Sequence, residues 1–273
     1  MKPIILASKK DPAGMNIIEN LKELNCKIPI HIVDSDIVHA ENIDKQLKTK
    51  LKKELKLDFD FIIFASKHQS VKKIRSLSVH PIGNWKNADF GGKNEIICPS
   101  NALILKHFFQ TLEKNMQNEN LDYNLTMEAT HHGPYIETPC LFIEIGSTSE
   151  EWNNKKAGKI IAETIIKSVN TFKNVKEHKF KNLKIAFGIG GPHYCPNFNE
   201  IQLGNKFAIS HVIAEYALPL TPSMVAEAIN KTIPKPSSIL IDWKGFGNAT
   251  QRNHALELLR KFNLEIIKTS EGK

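Results

Sequence analysis

Four of the chain's eleven histidines stand just past strand-like apolar runs, in segments that also hold proline and glycine. His80 lies in SVHPIGNW (78–85), His131 and His132 in THHGPYIETP (130–139), and His193 in GIGGPHYCPNF (188–198). Imidazole ionises near neutrality, so such residues serve as general acid or base, or as neutral zinc ligands. Tight loops fix a ring as catalysis requires. Each histidine alone is as well explained by a turn cap, but three similar loops together point to one site. The spacing matches no short metal signature such as HExxH, and there is no CxxC pair, nucleophile elbow or phosphate-binding P-loop. Neighbours in an extended loop face opposite ways, so His131 and His132 are expected to divide between a site-facing and a supporting role. The GIGGP turn offers backbone N–H groups able to approach a phosphate or carbonyl oxygen, or is simply a tight connection. Glu128 ends a strand, where it is either a working carboxylate or an exposed strand end. His211, in ISHVIAEY, suits a hydrogen-bonded core position better than a site.

The elements that must hold these loops alternate between strand-like and helix-like runs. IILAS (4–8) precedes Asp11 and Pro12, a helix cap and first turn. IPIHIVD (28–34), a basic amphipathic helix near 42–56 and the continuous apolar run FDFIIFAS (59–66) follow. Ser100 is placed to cap a helix burying Leu105, Phe108, Phe109, Leu112 and Met116. CLFIEIG (140–146) leads to a capping box, Thr148 with Glu151, and one helix from Trp152 through Val169. LKIAFGIG (183–190), SSILIDW (237–243) and LEIIK (264–268) are the later strands. The order predicts an α/β fold: a mostly parallel, mixed sheet flanked by helices on both faces. Segments 121–128 and 140–146 are joined without room for a helix, so they are expected to pair antiparallel. Ligands bind beyond the carboxyl ends of such strands. Residues 1–273 are expected to form a single α/β domain or two intimately packed lobes.

Composition supports a soluble chain with a real core: 41% of residues are hydrophobic, and no apolar run approaches a membrane span. The four cysteines are scattered, which argues against a disulfide framework and for a reducing, cytoplasmic setting; a monomer is the default expectation. The net charge of +8 suits a polyanion, although only Arg75, Arg252 and Arg260 among 37 basic residues are arginine. Lysine is densest at 48–56 and 173–184 and at Lys155, Lys156 and Lys159, each equally a solvated helix face.

SVHPIGNW, THHGPYIETP and GIGGPHYCPNF, in that order and with DWKG at 242–245, resemble the signature segments of the archaeal and plant type of D-aminoacyl-tRNA deacylase. The resemblance runs essentially end to end. It implies a fold similar to peptidyl-tRNA hydrolases and nucleoside phosphorylases, and zinc as cofactor. It implies hydrolysis of the ester between a D-amino acid and the tRNA 3′ end, which removes D-mischarged tRNA and protects translation from D-amino acids.

Ester hydrolysis needs an activated water, an oxyanion stabiliser and a proton for the leaving hydroxyl. Under the resemblance, His132 or His131, with His193 and His80, holds zinc or acts directly as base, and Glu128 orients or ligates. Gly190 and Gly191 are the oxyanion candidates. Trp85, Tyr135, Tyr194 and Phe198 are candidates to stack on the terminal adenosine, and lysine-rich helices would follow the acceptor-stem phosphates. Competing readings are a peptidyl-tRNA hydrolase-like esterase, a nucleoside phosphorylase-like enzyme and a non-catalytic RNA-binding module. The last predicts RNP-type aromatic strands or RGG segments, which the sequence lacks, and leaves the grouped histidines without a purpose.

Overall fold

Two-residue alternation along neighbouring strands decides how the molecule is layered. The computed structural model describes residues 1–55 and 58–273. In chain order the elements are β1 (Pro3–Ser8), α1 (Pro12–Glu23), β2 (Ile30–Val33), α2 (Ile43–Leu55), β3 (Phe61–Gln69), β4 (Ser76–His80) and β5 (Ser100–Asn101). Then come α3 (Ala102–Asn118), β6 (Asn124–Met127), β7 (Cys140–Ser147), α4 (Ser149–Trp152), α5 (Lys155–His178), β8 (Lys184–Ile189) and α6 (Pro196–Leu203). The chain ends with β9 (Phe207–Ile213), α7 (Pro222–Lys231), β10 (Thr232–Ile233), β11 (Ser238–Ile241), α8 (Ala249–Leu259), β12 (Glu265–Lys268) and α9 (Thr269–Gly272). The expected end of the basic helix at residue 56 lies outside the described residues, as does the last lysine of the 48–56 run.

The strands form a six-stranded mixed sheet in the order β2-β1-β3-β7-β4-β6, a parallel four-stranded sheet in the order β12-β11-β8-β9, and a small β10-β5 pair. The α/β class and the flanking helices match the sequence reading. The single sheet does not, because β8, β9, β11 and β12 pair among themselves as a second sheet. On β1, β3 and β7, Ile5, Ile63 and Ile143 face a core built with α1, α3 and α5, whereas Leu6, Phe64 and Phe142 face a second core under α2. Each such side chain, once buried, contributes about 1.5–3 kcal/mol. The first core continues into the second sheet through Ala186, Ala208, Val212 and α6. The outer face of that sheet packs on α7 and α8.

Three local expectations are corrected. Asn101, not Ser100, caps α3, its side chain accepting from the Leu103 and Ile104 N–H groups. The capping box at Thr148 starts only α4; the chain breaks at residues 153–154, and Asn154 caps a new helix, α5. Segments 121–128 and 140–146 do run in opposite directions, but they are not paired: β4 lies between β6 and β7, antiparallel to β7 and parallel to β6. The physical reason is α3, which carries the chain from β4 to β6 as a crossover, and a crossover returns a parallel neighbour.

Candidate active site

The face of the large sheet that begins as apolar core under α2 turns polar further along. On β3 the parity that buries Ile62 and Phe64 continues to Ser66 and His68; on β7 it runs from Cys140 and Phe142 to Glu144. Leu77 and Val79 of β4 face the opposite core, which leaves Ser76, Ser78 and His80 on this side, and Met127 of β6 likewise leaves Thr126. Because β3 and β4 run in opposite directions, His68 and His80 enter from opposite ends. His68 sits beside Gly146 and His80 beside Phe142, so Glu144 stands one same-face position from each.

Beyond β6 the chain bridges the two sheets. The Ala129 N–H donates to the His193 carbonyl (2.9 Å) and the Thr130 N–H to the Val212 carbonyl (3.1 Å). His193 therefore arrives from the second sheet, after β8, and the expected common sheet edge is replaced by a seam between two sheets. Asn199 of α6 holds both sides of that seam: it accepts from the Met127 N–H (2.7 Å) and donates to the Tyr194 carbonyl (3.0 Å).

Glu128 is the hub and has no exposure. Its Oε2 lies 3.0 Å from His193 Nε2, 3.1 Å from His68 Nδ1 and 3.6 Å from His131 Nε2, while Oε1 has no hydrogen-bond partner among the described residues. Burial opposes its charge, but the hydrogen bonds from His193 and His68 prevail and hold it well below the usual carboxylate range. Glu144 goes the other way: burial, then the charge on Glu128, pushes it well above that range. Two carboxylates thus sit in one site with their pKa values pushed in opposite directions. For His68, burial disfavours the cation, yet the hydrogen bond and charge of Glu128 raise its pKa. Its Nε2 meets the Tyr194 hydroxyl at 2.9 Å.

The other three histidines share one device. His80, His131 and His132 each direct Nδ1 at a backbone carbonyl, of Pro81 (3.1 Å), Ala129 (2.8 Å) and Gly133 (2.6 Å). A carbonyl can only accept, so Nδ1 carries the proton and Nε2 keeps its lone pair. Burial lowers His80 to about 4. Burial and then the charge of His80 lower His132 to about 3; burial with the charges of His132 and His80 holds His131 well below its ordinary value. All three are neutral at pH 7, and among the described residues His80 Nε2 makes no hydrogen bond, with Glu144 Oε2 3.3 Å away. One ring nitrogen from each lies within 4.8 Å of the others. Neutral imidazoles oriented by carbonyls suit zinc. His68, Glu128 and His193 form a second group of the same compactness, and His80, Glu128 and Glu144 a third.

The structure brings His80, His131, His132, His193 and Glu128 together. The expected ligand set of His80, His132 and His193 divides, however: the first two group with His131, and His193 groups with His68 and Glu128. The expected opposition of His131 and His132 fails, because His132 has a left-handed backbone (φ 46°) that brings the rings to a centroid separation of 4.3 Å. Gly190 and Gly191 do not point N–H groups at the site; these donate to Ile213 (2.8 Å) and Gly245 (3.0 Å) carbonyls. Phe198 is wholly buried against Gly188 and unavailable for stacking. Trp85 is buried with Nε1 donating to the Val212 carbonyl, and Tyr135 lies beneath Lys93. Tyr194 alone of the four aromatics bonds to a site histidine through its hydroxyl, though Trp85 lines an adjoining cavity. His211 is a core residue bonded to Thr130. Sequence reading missed His68 and Glu144; the carboxylate inside the apolar run CLFIEIG was the available signal.

A family model described as D-aminoacyl-tRNA deacylase matches residues 55–267. D-aminoacyl-tRNA deacylases of Pyrococcus abyssi and Pyrococcus furiosus are each 36% identical to this chain, covering 97% of it and 99% of their own length. The crystal structure of a conserved protein of unknown function is similar with a TM-score of 0.86 and 29% identity, over 99% of this chain and 96% of that one. This chain belongs to the D-aminoacyl-tRNA deacylase family.

Proposed function

We infer that the protein hydrolyses the ester joining a D-amino acid to the 3′ end of tRNA, releasing free tRNA and amino acid. The observation that carries this reading is a fully buried, ionised Glu128 between His68 and His193, beside three imidazoles held neutral. With Nε2–H donated to Glu128, His193 presents Nδ1 to the half-open side of the site, where the Tyr216 hydroxyl approaches it (3.3 Å). In this role Nδ1 takes a proton from the attacking water, Glu128 stabilises the imidazolium, and the same nitrogen returns the proton to the leaving ribose oxygen. His80, His131 and His132 would hold zinc, which when bound supplies a Lewis acid for the ester carbonyl. Basic recognition of the acceptor stem falls to α2, whose Lys50, Lys52 and Lys53 are exposed on the helix covering the site's face. The exposed lysines of α5 sit on the helix that covers the opposite core.

Purified protein should release amino acid from D-aminoacyl-tRNA and leave a tRNA that can be recharged. Release of peptide from N-blocked L-peptidyl-tRNA with D-aminoacyl-tRNA left intact would contradict this. For zinc, elemental analysis should find metal on the wild type and less of it on His132→Ala, with a matching fall in thermal midpoint after chelation. Full activity and an unchanged midpoint in metal-free protein would remove zinc from the account.

A further inference from the structure

Among the described residues, the aromatic side chains left most exposed are Phe90 (74%) and Tyr216 (55%), and both line one cavity of about 400 Å³. That volume lies within the roughly 300–1,000 Å³ of small-molecule sites. The cavity's wall includes His131 and His132, and its floor includes the buried Trp85. A second cavity, about 880 Å³, opens on the other side and also reaches His131 and His132. Phe90 lines both, so it and the two histidines form the partition. Tyr216 is tied to the catalytic group by its hydroxyl on His193 Nδ1. Phe90 is placed by its backbone, whose carbonyl accepts from the Gly133 N–H (3.0 Å), directly after the paired histidines. Two bare aromatic rings, held by the catalytic loops themselves and facing a cavity of this size, make a platform for a flat heteroaromatic ring.

An ester cleaved at the shared wall must send its alcohol half into one cavity and its acyl half into the other. The larger cavity carries Asp11 and Asp36 alongside Lys67 and Lys73, a mixed polar lining that suits an acyl moiety bearing an amino group. The smaller one, with its exposed aromatic rings, suits a base. We propose that the cavity between Phe90 and Tyr216 binds the terminal adenosine of the tRNA, with the adenine against these two rings and the ribose toward the partition that His131 and His132 form. This assignment rests on the deacylase reading above.

The probe is adenosine 5′-monophosphate, used as a competitor of D-aminoacyl-tRNA hydrolysis and titrated directly by calorimetry. The wild type should bind it competitively. Phe90→Ala should weaken that binding about tenfold and raise KM for the tRNA similarly, as loss of one base stack implies, with kcat changed far less. Tyr216→Leu should move in the same direction, and Phe90→Trp should restore binding. Both positions are exposed, so unaltered thermal midpoints will exclude a folding effect. Absence of nucleotide binding, or Phe90→Ala that lowers kcat while KM and nucleotide affinity stay unchanged, would overturn the proposal. Were D-aminoacyl-tRNA not hydrolysed at all, the deacylase reading would fail, while calorimetry would still decide whether the cavity binds adenosine.

Discussion

Glu128 shows how one residue can set the state of its neighbours. As a carboxylate it keeps His68 inclined to the cation and His193 oriented, while its charge adds to the burial that raises the pKa of Glu144. Glu128→Gln should therefore lower kcat by about 10²–10³-fold with little change in KM, the range of a lost acid–base partner. Steady-state kinetics check this, and a Gln variant with wild-type kcat would shift catalysis elsewhere. A separate consequence concerns acid stability. His107, against Thr171, and His211, against Thr130, are lowered to about 4 and about 3, in both cases chiefly by burial. The unfolded chain, titrating near 6.5, binds more protons than the fold between pH 6.5 and about 4, so stability rises with pH across that window and falls on acidification. For His107 the loss at pH 4 is on the order of 3 kcal/mol. Urea midpoints measured from pH 7 to pH 4 should fall, less steeply in His107→Gln; flat midpoints would contradict the assignment. The loop histidines were legible in the sequence because proline and glycine mark rigid turns. His68 was not, since at a strand end it reads as an ordinary polar position, and Glu144 showed only as a lone carboxylate in the apolar run CLFIEIG, whose role waits on which face of the sheet turns polar.

At the scale of elements, the site depends on loops pressed against one another. Glu41 accepts from both the Gly92 N–H (2.7 Å) and the Tyr135 N–H (2.7 Å), joining the Phe90 loop to the one that follows His132. Asp44 of α2 accepts from the Glu137 and Thr138 N–H groups (3.0 Å each), so the helix over the site also pins its loop. Gly133 permits the closest approach. A Cβ there would stand 2.3 Å from the Gly92 nitrogen and 2.4 Å from the Val38 carbonyl oxygen, both backbone atoms. Gly133→Ala must therefore separate the Phe90 loop from the paired histidines. The expected result is a loss of at least about 2 kcal/mol in stability and about 100-fold in kcat/KM, the scale of an ångström's misplacement. Denaturation and kinetics on the same preparation check it, and wild-type values in both would show that the loops are not packed this way. Strand existence was readable from apolar runs and capping residues, and most elements stand where those signals put them. Pairing was not, because the place of β4 between β6 and β7 depends on where α3 returns the chain, a long-range choice that no local run encodes.

Over the whole molecule, the residues of the candidate site come from both sheets, and the first core runs without interruption between them. His193 reaches Glu128 only because the segment after β6 hydrogen-bonds to the second sheet. Among the described residues no helix is long and apolar enough to cross a membrane. Exposed lysines on α2 share the face of the site, and on the proposed reading they supply the positive charge that meets a polyanionic substrate there. Net charge was legible in the composition, but its division between the site's face and the opposite one required the fold. The central claim is ester hydrolysis selective for the D-enantiomer. It is tested most directly by following loss of amino acid from matched D- and L-aminoacyl-tRNA at equal concentration, with His193→Ala alongside. The account predicts rapid deacylation of the D-ester, an L-ester that decays at its rate without protein, and a variant slowed by at least about 100-fold on the D-ester; equal turnover of the two enantiomers would contradict it.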